Sequence, residues 1–181
     1  EPQQMAILGQ DLFFGVGQGA KGFRRVDIGG TVPDTLTFDF DGAGLALVET
    51  GGTVFGLGSN VFQPQPGMNV WTAYLGSYGP AGANPQHFGC MPSRPRDLAT
   101  DGTTLYWALD NSIGMAPIAN PRQMQVLVPT EDTDPNGVVA DGEAIYWTER
   151  QHGGAGQGRI MKLTKPLPGD VLPDGTKPCP R

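Results

Sequence analysis

The sequence predicts an all-β protein built from four tandem repeats, each holding four short strands. The first reason is its content of turn residues, since glycine (28) and proline (17) separate short apolar runs such as 104–108 and 144–148. Short strands between turns explain that pattern better than disorder does. The second reason is internal repetition, because segments 98–108 and 138–148 align without a gap at an offset of 40 residues. A fixed period of this length indicates a repeat architecture.

Both copies of this best-matched repeat carry an Asp-Gly turn followed by a Tyr-Trp pair. The matched residues are Asp101 with Asp141, Gly102 with Gly142, Tyr106 with Tyr146, and Trp107 with Trp147. Asp-Gly between two β-rich runs is a strong hairpin signal, because glycine adopts positive φ without steric cost. Successive side chains of a strand point to opposite faces, so we expect one ring of each pair to be buried on each face.

Two weaker copies lie upstream, at 5–15 and 46–56, with Phe13 and Phe55 at the tyrosine position. The aligned apolar residues are Leu12, Val54, Leu105 and Ile145. Third strands are predicted at 22–28, 69–75, 112–118 and 159–163, and fourth strands at 35–38, 85–88, 124–128 and 170–172. Pro117 weakens its strand or places it at a sheet edge. The repeats therefore occupy about 5–44, 45–96, 97–137 and 138–175.

A four-stranded meander repeated every 40 to 50 residues is typical of one blade of a β-propeller. A single such sheet has two apolar faces, and packing sheet against sheet around an axis buries both. We therefore predict one propeller domain over residues 1–181, with four four-stranded blades. Two arrangements stay open at this point: a closed four-bladed ring, or part of a larger propeller.

The pattern Asp-Gly-x-x-Leu/Ile-Tyr-Trp, followed by a third strand that opens with Ile, resembles a known repeat family. It is similar to the TolB-like and YWTD-like β-propeller repeats of secreted bacterial proteins. The resemblance covers residues 97–165; over 1–96, Phe-Phe and Phe-Gly replace Tyr-Trp. It implies the fold and carries no catalytic residue. The family implies six or more blades, whereas four repeats are present here.

Charge and hydropathy narrow the classes of partner. The formal net charge is −6 and the sequence pI is about 4.7, which disfavours non-specific binding to nucleic acid. No apolar run approaches the roughly 20 residues of a membrane-spanning helix. The chain begins with Glu-Pro-Gln-Gln and shows no signal peptide, so we expect it to be processed or cut from something longer.

The two cysteines, Cys90 and Cys179, both lie beside prolines in segments predicted to be outside strands. Two cysteines in loops favour a disulfide, and a disulfide favours an oxidising compartment. We therefore predict a Cys90–Cys179 bond and an extracellular or periplasmic location. Pairing with another chain is the competing outcome.

Three acidic residues are candidate metal ligands: Glu49, Asp101 and Asp141. They lie at or near the ends of first strands, which line the central channel of a propeller, and carboxylate oxygens bind Ca²⁺. We favour the interpretation that these are turn residues and not metal ligands, because a turn aspartate commonly accepts hydrogen bonds from nearby backbone N–H groups. No cofactor is expected, with Ca²⁺ as the alternative.

Two long connections between second and third strands, 59–67 and 151–158, are predicted loops on one face of the scaffold. Loops on a rigid scaffold commonly carry binding residues, and Phe62 and His152 are the candidates here. The only other histidine, His87, lies in a different repeat, too far in sequence to suggest a zinc motif.

These observations favour a secreted or periplasmic, non-enzymatic binding or assembly module on a β-propeller scaffold. The alternative is an enzyme of lyase or hydrolase type whose site is completed by missing blades or by a partner chain. The expected partner is a protein or a second propeller fragment, with no nucleic acid and no membrane span. Fold alone does not separate the two functions.

Overall fold

The structure is a computed structural model that describes residues 2–16, 22–31, 33–36, 42–65, 68–91, 93–130, 133–151 and 158–165. These residues form fifteen β-strands and one 3₁₀ turn, Pro80–Gly82, so the all-β prediction is confirmed. The strands make four antiparallel sheets, named I to IV in chain order. They belong to two compact units, the first ending at Pro95 and the second beginning at Arg96.

The first unit holds sheets I and II, each a four-stranded meander in which consecutive strands pair. The strands of sheet I are β1 (Pro2–Leu8), β2 (Asp11–Val16), β3 (Phe23–Asp27) and β4 (Asp34–Leu36). Those of sheet II are β5 (Ala43–Thr50), β6 (Thr53–Gln65), β7 (Met68–Tyr78) and β8 (Gln86–Met91).

Sheets III and IV follow, sheet III beginning at the boundary between the units. The strands of sheet III are β9 (Pro95–Thr100), β10 (Thr104–Leu109), β11 (Ser112–Pro117) and β12 (Gln125–Pro129). Those of sheet IV are β13 (Thr133–Ala140), β14 (Ala144–Gln151) and β15 (Gly158–Thr164). The fourth strand predicted at 170–172 lies outside the described residues, and the blade count and single-domain assignment stay predictions.

The sequence predicts that Pro117 either weakens its strand or places that strand at a sheet edge. The second of these predictions is wrong. β11 is an inner strand of sheet III, between β10 and β12. Pro117 is its last residue and pairs with Thr104, while the pairing of β11 with β12 ends at Met115. A proline is tolerated there because no neighbouring strand requires its missing N–H.

The segment 59–67, predicted to be a loop, is instead largely part of a long hairpin. β6 and β7 continue past the sheet, with pairs from Ser59–Ala73 to Gln65–Met68. The register shifts between Phe62 and Gln65, where Pro64 cannot donate a ladder hydrogen bond. Phe62 thus lies in a strand, opposite Val70, on an arm of paired backbone.

The core of the first unit lies between sheets I and II. Its aromatic centre is Phe13, Phe23 and Tyr78, with the Tyr78 ring centroid 6.3 Å from Phe13 and 6.4 Å from Phe23. Two glycines of sheet II make room for Phe23, because a Cβ at Gly44 or Gly56 would come within 2.8 Å of its ring. The sheets therefore approach closely through large residues on one face and small ones on the other.

The core of the second unit lies between sheets III and IV. Tyr106 and Ile113 of sheet III pack with Ile145 and Trp147 of sheet IV. Trp107 is 1% exposed on the opposite face of sheet III, where its ring lies over Gly114. The prediction that the Tyr-Trp rings are core is confirmed for these two pairs except at Tyr146.

Tyr146 was predicted to be buried, and that prediction is wrong. Its ring is half-buried, and Lys162 Nζ lies 5.3 Å from the ring centroid. Tyr146 belongs to the face of sheet IV opposite to Trp147, and nothing in the repeat motif distinguishes it from buried Tyr106.

Candidate functional site

In each unit the two sheets contact each other through matching positions. One of these contacts is a hydrogen bond. In the first unit the backbone N–H of Leu47 donates to Gln4 Oε1 at 2.9 Å. In the second the N–H of Val138 donates to Asp97 Oδ2, also at 2.9 Å. Gln4 and Asp97 occupy the same position relative to the aligned residues Leu12 and Leu105, and Leu47 and Val138 match likewise.

The apolar part of the contact also uses matching positions. In each unit, the face of the first sheet that packs on the second is named the forward face, and the face of the second sheet that packs on the first is named the backward face. The same names are kept for the matching faces of every sheet. The forward face of sheet I contributes Ala6, Phe13 and Phe23, and that of sheet III contributes Tyr106, Ala108 and Ile113. The backward faces contribute Leu47, Val54 and Tyr78 in sheet II, and Val138, Ile145 and Trp147 in sheet IV.

Sheet I has a backward face that is apolar and open. Met5 is 65% exposed and Ile7 is 58% exposed. The strand registers place them with half-buried residues of the same face, which include Arg24 and the apolar Leu12, Phe14 and Val26. Met5 and Leu12 match Val138 and Ile145, which are buried in sheet IV. The positions that are buried in sheet IV are therefore also apolar in sheet I, but in sheet I they are open to solvent.

Sheet IV has a forward face that is open in the same way. Val139 is 63% exposed and Ile160 is 78% exposed, with Tyr146 half-buried between their strands. Tyr146 matches Phe13 and Ile160 matches Phe23, both of which are fully buried in sheet I. Exposed Thr148 and Lys162 lie on the same face, so the face is mixed, and its exposed apolar side chains mark it as a candidate interaction site.

The hairpin of Asp101 contributes to the contact between sheets III and IV. Its carboxylate accepts the N–H groups of Thr103 and Thr104 at 2.8 Å and the Tyr106 hydroxyl at 3.1 Å. It also forms an ion pair with Lys165, which follows β15. Burial alone would raise the pKa of Asp101, but the Lys165 ammonium and the Thr103 and Thr104 donors outweigh it and hold that pKa well below its usual range.

Asp141, the matching residue of sheet IV, lies in an exposed hairpin. It accepts the N–H groups of Glu143 and Ala144 at 2.8 Å, and these two bonds lower its pKa. The interpretation of these aspartates as turn residues bonded to local backbone agrees with both geometries. Glu49 likewise accepts the N–H of Gly52 at 3.0 Å.

The three candidate Ca²⁺ ligands are thus each engaged in their own hairpin. Asp101 is further committed to an ammonium group, which competes with any cation for the same oxygen. Within the described residues, no group of three acidic, histidine or cysteine side chains could hold a metal ion. Ca²⁺ binding by Glu49, Asp101 and Asp141 stays a prediction, and the observed hydrogen bonds do not favour it.

The remaining sequence candidates are only partly placed. Phe62 lies in the β6–β7 hairpin, while His152 and Cys179 lie outside the described residues. Cys90 was predicted to be in a loop, but it lies within β8, paired with Tyr74 and 5% exposed. Ligand binding by Phe62 and His152 and the Cys90–Cys179 bond stay predictions.

Sequence reasoning missed the two open faces and the residues that define them. Met5 and Ile7 alternate along β1, whereas Val139 and Ile160 lie next to Val138 and Met161, apolar residues of the opposite face. Apolar residues on a strand face predict that this face packs on another element. They do not show whether that neighbour is present.

A further buried group is Glu149, whose side chain is 4% exposed on the backward face of sheet IV. Trp147 Nε1 donates to one carboxylate oxygen at 2.7 Å, and Arg159 donates to the other at 2.9 Å. These contacts satisfy the charge where it is removed from water. Glu149 thereby fixes the orientation of the Trp147 indole.

No protein-family model matches the chain, and no curated protein matches it in sequence. Among solved structures, the tricorn protease matches with a TM-score of 0.64 and 9% identity over 90% of this chain. The chain spans only 21% of the length of that protein. A computationally designed protein, Ika4, matches with a TM-score of 0.60 and 14% identity, over 91% of both chains.

A nidogen–laminin complex matches with 17% identity over 77% of this chain and 68% of that one, but its TM-score of 0.39 is too low to support an argument. The first two matches, together with the four successive meanders, define a β-propeller-like all-β fold. In the described parts of the chain no helix has the length and apolar character to span a bilayer.

Proposed function

We propose that the chain is a secreted or periplasmic, non-enzymatic assembly module that binds protein through the open faces of its first and last sheets. The observation that carries this proposal is the exposure of apolar residues at positions that are buried in the matching sheets. Ile160 and Met5 are 78% and 65% exposed, whereas the matching Phe23 and Val138 are 0% and 2% exposed. Exposing such surface to water is unfavourable, and a protein partner would cover it.

The partner that suits these faces is another sheet of the same kind. Each face presents paired strands with exposed aliphatic and half-buried aromatic side chains, beside Arg24 in sheet I and Lys162 in sheet IV. A sheet face with exposed apolar side chains packs on a second sheet about 10 Å away. A small polar ligand would not bury it.

The binding role is tested by photo-crosslinking in the native source of the protein. Ile160 and Met5 are each replaced by benzoylphenylalanine, with Val126 as the matched control. Val126 is 46% exposed and lies in β12, on neither open face. We expect protein adducts at positions 160 and 5 that exceed those at 126. Adduct yields no higher than at Val126 would overturn the binding role.

The proposed secreted or periplasmic location is tested through the predicted Cys90–Cys179 disulfide, because a disulfide favours an oxidising compartment. Intact mass is measured on the denatured, unreduced protein after alkylation, and again after reduction. We expect no alkylation before reduction and two alkylated thiols after it. Two alkylated thiols in the unreduced protein would remove the support for an oxidising compartment.

A further inference from the structure

The open faces of sheets I and IV are the two complementary halves of one contact. Inside each unit a forward face packs on a backward face, through the matching positions described above. The open face of sheet I is a backward face, and the open face of sheet IV is a forward face. These two open faces are therefore one half of each kind.

We infer that two copies of this chain assemble head to tail, the forward face of sheet IV in each copy packing on the backward face of sheet I in the other. This inference rests on the proposed assembly function and names its partner. The first unit supplies the pattern for the contact. There Phe23 and Phe13 pack with Leu47, Val54 and Tyr78.

The matching positions predict which residues meet across the two copies. Ile160 and Tyr146 of one copy take the places of Phe23 and Phe13. Met5, Leu12 and Val26 of the other copy take the places of Leu47, Val54 and Tyr78. All five are apolar or aromatic, and Met5 and Ile160 are the most exposed large hydrophobic residues of their faces.

The stoichiometry follows from closure. A head-to-tail contact forms a ring when its rotation closes and an open filament when it does not. A pair is the smallest assembly in which each open forward face meets an open backward face of another copy, and in a closed pair neither face stays open.

The test is sedimentation equilibrium of the purified chain over a wide range of concentration, with three lysine variants. We expect the wild type to have twice the 19.1 kDa mass of one chain. Ile160→Lys and Met5→Lys should each give the mass of one chain, because each breaks both contacts of the pair. Val126→Lys, on neither open face, should keep the mass of the wild type.

Mixing the two single variants distinguishes head-to-tail packing from other dimers. A pair made of one Ile160→Lys copy and one Met5→Lys copy keeps one contact free of substitutions, so equimolar mixing should restore the mass of two chains. A dimer through sheet I alone would be broken by Met5→Lys, left intact by Ile160→Lys, and not restored by mixing. That result would overturn the inference.

The other outcomes are equally decisive. A wild type with the mass of one chain at every concentration, or a mass above two chains, would overturn the closed pair. If the wild type is a single chain but position 160 crosslinks to a different protein, the proposed assembly function still stands. Absence of both results overturns both. Circular dichroism confirms that the variants fold, and Val139→Lys with Ile7→Lys replaces any that does not.

Discussion

Sheets III and IV carry the same motif, Asp-Gly-x-x-Leu/Ile-Tyr-Trp, yet only sheet III buries both of its rings. Tyr106 and Trp107 are 3% and 1% exposed, whereas Trp147 is buried and Tyr146 is not. Their hairpins also differ, since Asp101 forms an ion pair with Lys165, which follows the last strand of sheet IV, whereas the exposed Asp141 is hydrogen-bonded within its own sheet, by the N–H groups of Glu143 and Ala144 and by the Tyr146 side chain. The motif thus sets which face each side chain lies on, and the neighbouring sheet sets whether that face is buried.

The largest effect should come from the two aromatic residues of β14. Trp147→Ala removes a ring packed between sheets III and IV and should lower the free energy of unfolding by about 3–5 kcal/mol. Tyr146→Ala, on the open face, should lower it by less than about 1 kcal/mol in the single chain. Urea denaturation followed by circular dichroism measures both in the Met5→Lys background, which the proposed head-to-tail packing predicts to be a single chain. Equal losses would show that both faces of sheet IV are buried and would break the comparison.

A smaller effect should come from Gly114, which lies under the Trp107 ring. A Cβ at Gly114 would lie 2.1 Å from Trp107 Nε1, whereas Met161 occupies the matching position in sheet IV. Overpacking in Gly114→Ala should cost about 1–3 kcal/mol. Gly142→Ala is the control, because nothing lies within 4 Å of the added Cβ. A neutral Gly114→Ala variant in urea denaturation would contradict the tight packing of sheet III.

A stability loss similar to or smaller than that of Gly114→Ala should distinguish the two hairpin aspartates, Asp101 and Asp141. Asp101→Asn weakens a buried ion pair and its hydrogen bonds and should cost about 1–3 kcal/mol. Asp141→Asn should change thermal stability much less, because its turn is exposed. Differential scanning calorimetry of both variants measures the difference. Equal melting temperatures for the two variants would show that Lys165 contributes nothing to the contact between sheets.

The smallest effect is the pH dependence of the Asp101 contribution. The folded-state pKa of Asp101 lies below that of the unfolded chain. Its contribution is therefore fully present above the unfolded value of about 3.9 and is lost as the pH falls through the folded value. In urea denaturation, the stability gap between wild type and Asp101→Asn should shrink as the pH falls below about 4. A gap that stays constant down to acid denaturation would contradict the lowered pKa.

The local elements of the fold could be predicted because their signals are local. Asp-Gly at 101–102 and 141–142 marks hairpins in which the aspartate accepts hydrogen bonds from the following backbone N–H groups, and the apolar residues around Trp107 and Trp147 mark buried strands. The 59–67 segment could not be predicted, because its glycine and prolines suggest a loop while the pairing of β6 with β7 depends on hydrogen bonds between separate segments. Cys90 was predicted to lie outside a strand because Pro92 is close to it in the sequence. Strand β8 ends at Met91, just before that proline, and therefore includes Cys90.

For the candidate site, only the apolar character of its side chains could be predicted from the sequence. Met5, Ile7, Val139 and Ile160 are apolar in sequence as in structure, and the period of the strands assigns each to one face. Their exposure depends on whether another sheet packs on that face. No property of these residues themselves encodes that neighbour, so Ile160 and the buried Phe23 look alike in the sequence.

The repeated contact from Gln4 to Leu47 and from Asp97 to Val138 has a consequence for how such a chain changes length. Each sheet is one contiguous stretch of the gene, and in both units the two sheets contact each other through the same positions. Duplication or loss of one stretch therefore adds or removes a sheet whose two faces already fit those beside it. Rings of different size then need no new packing solutions, only a different number of copies of an existing one.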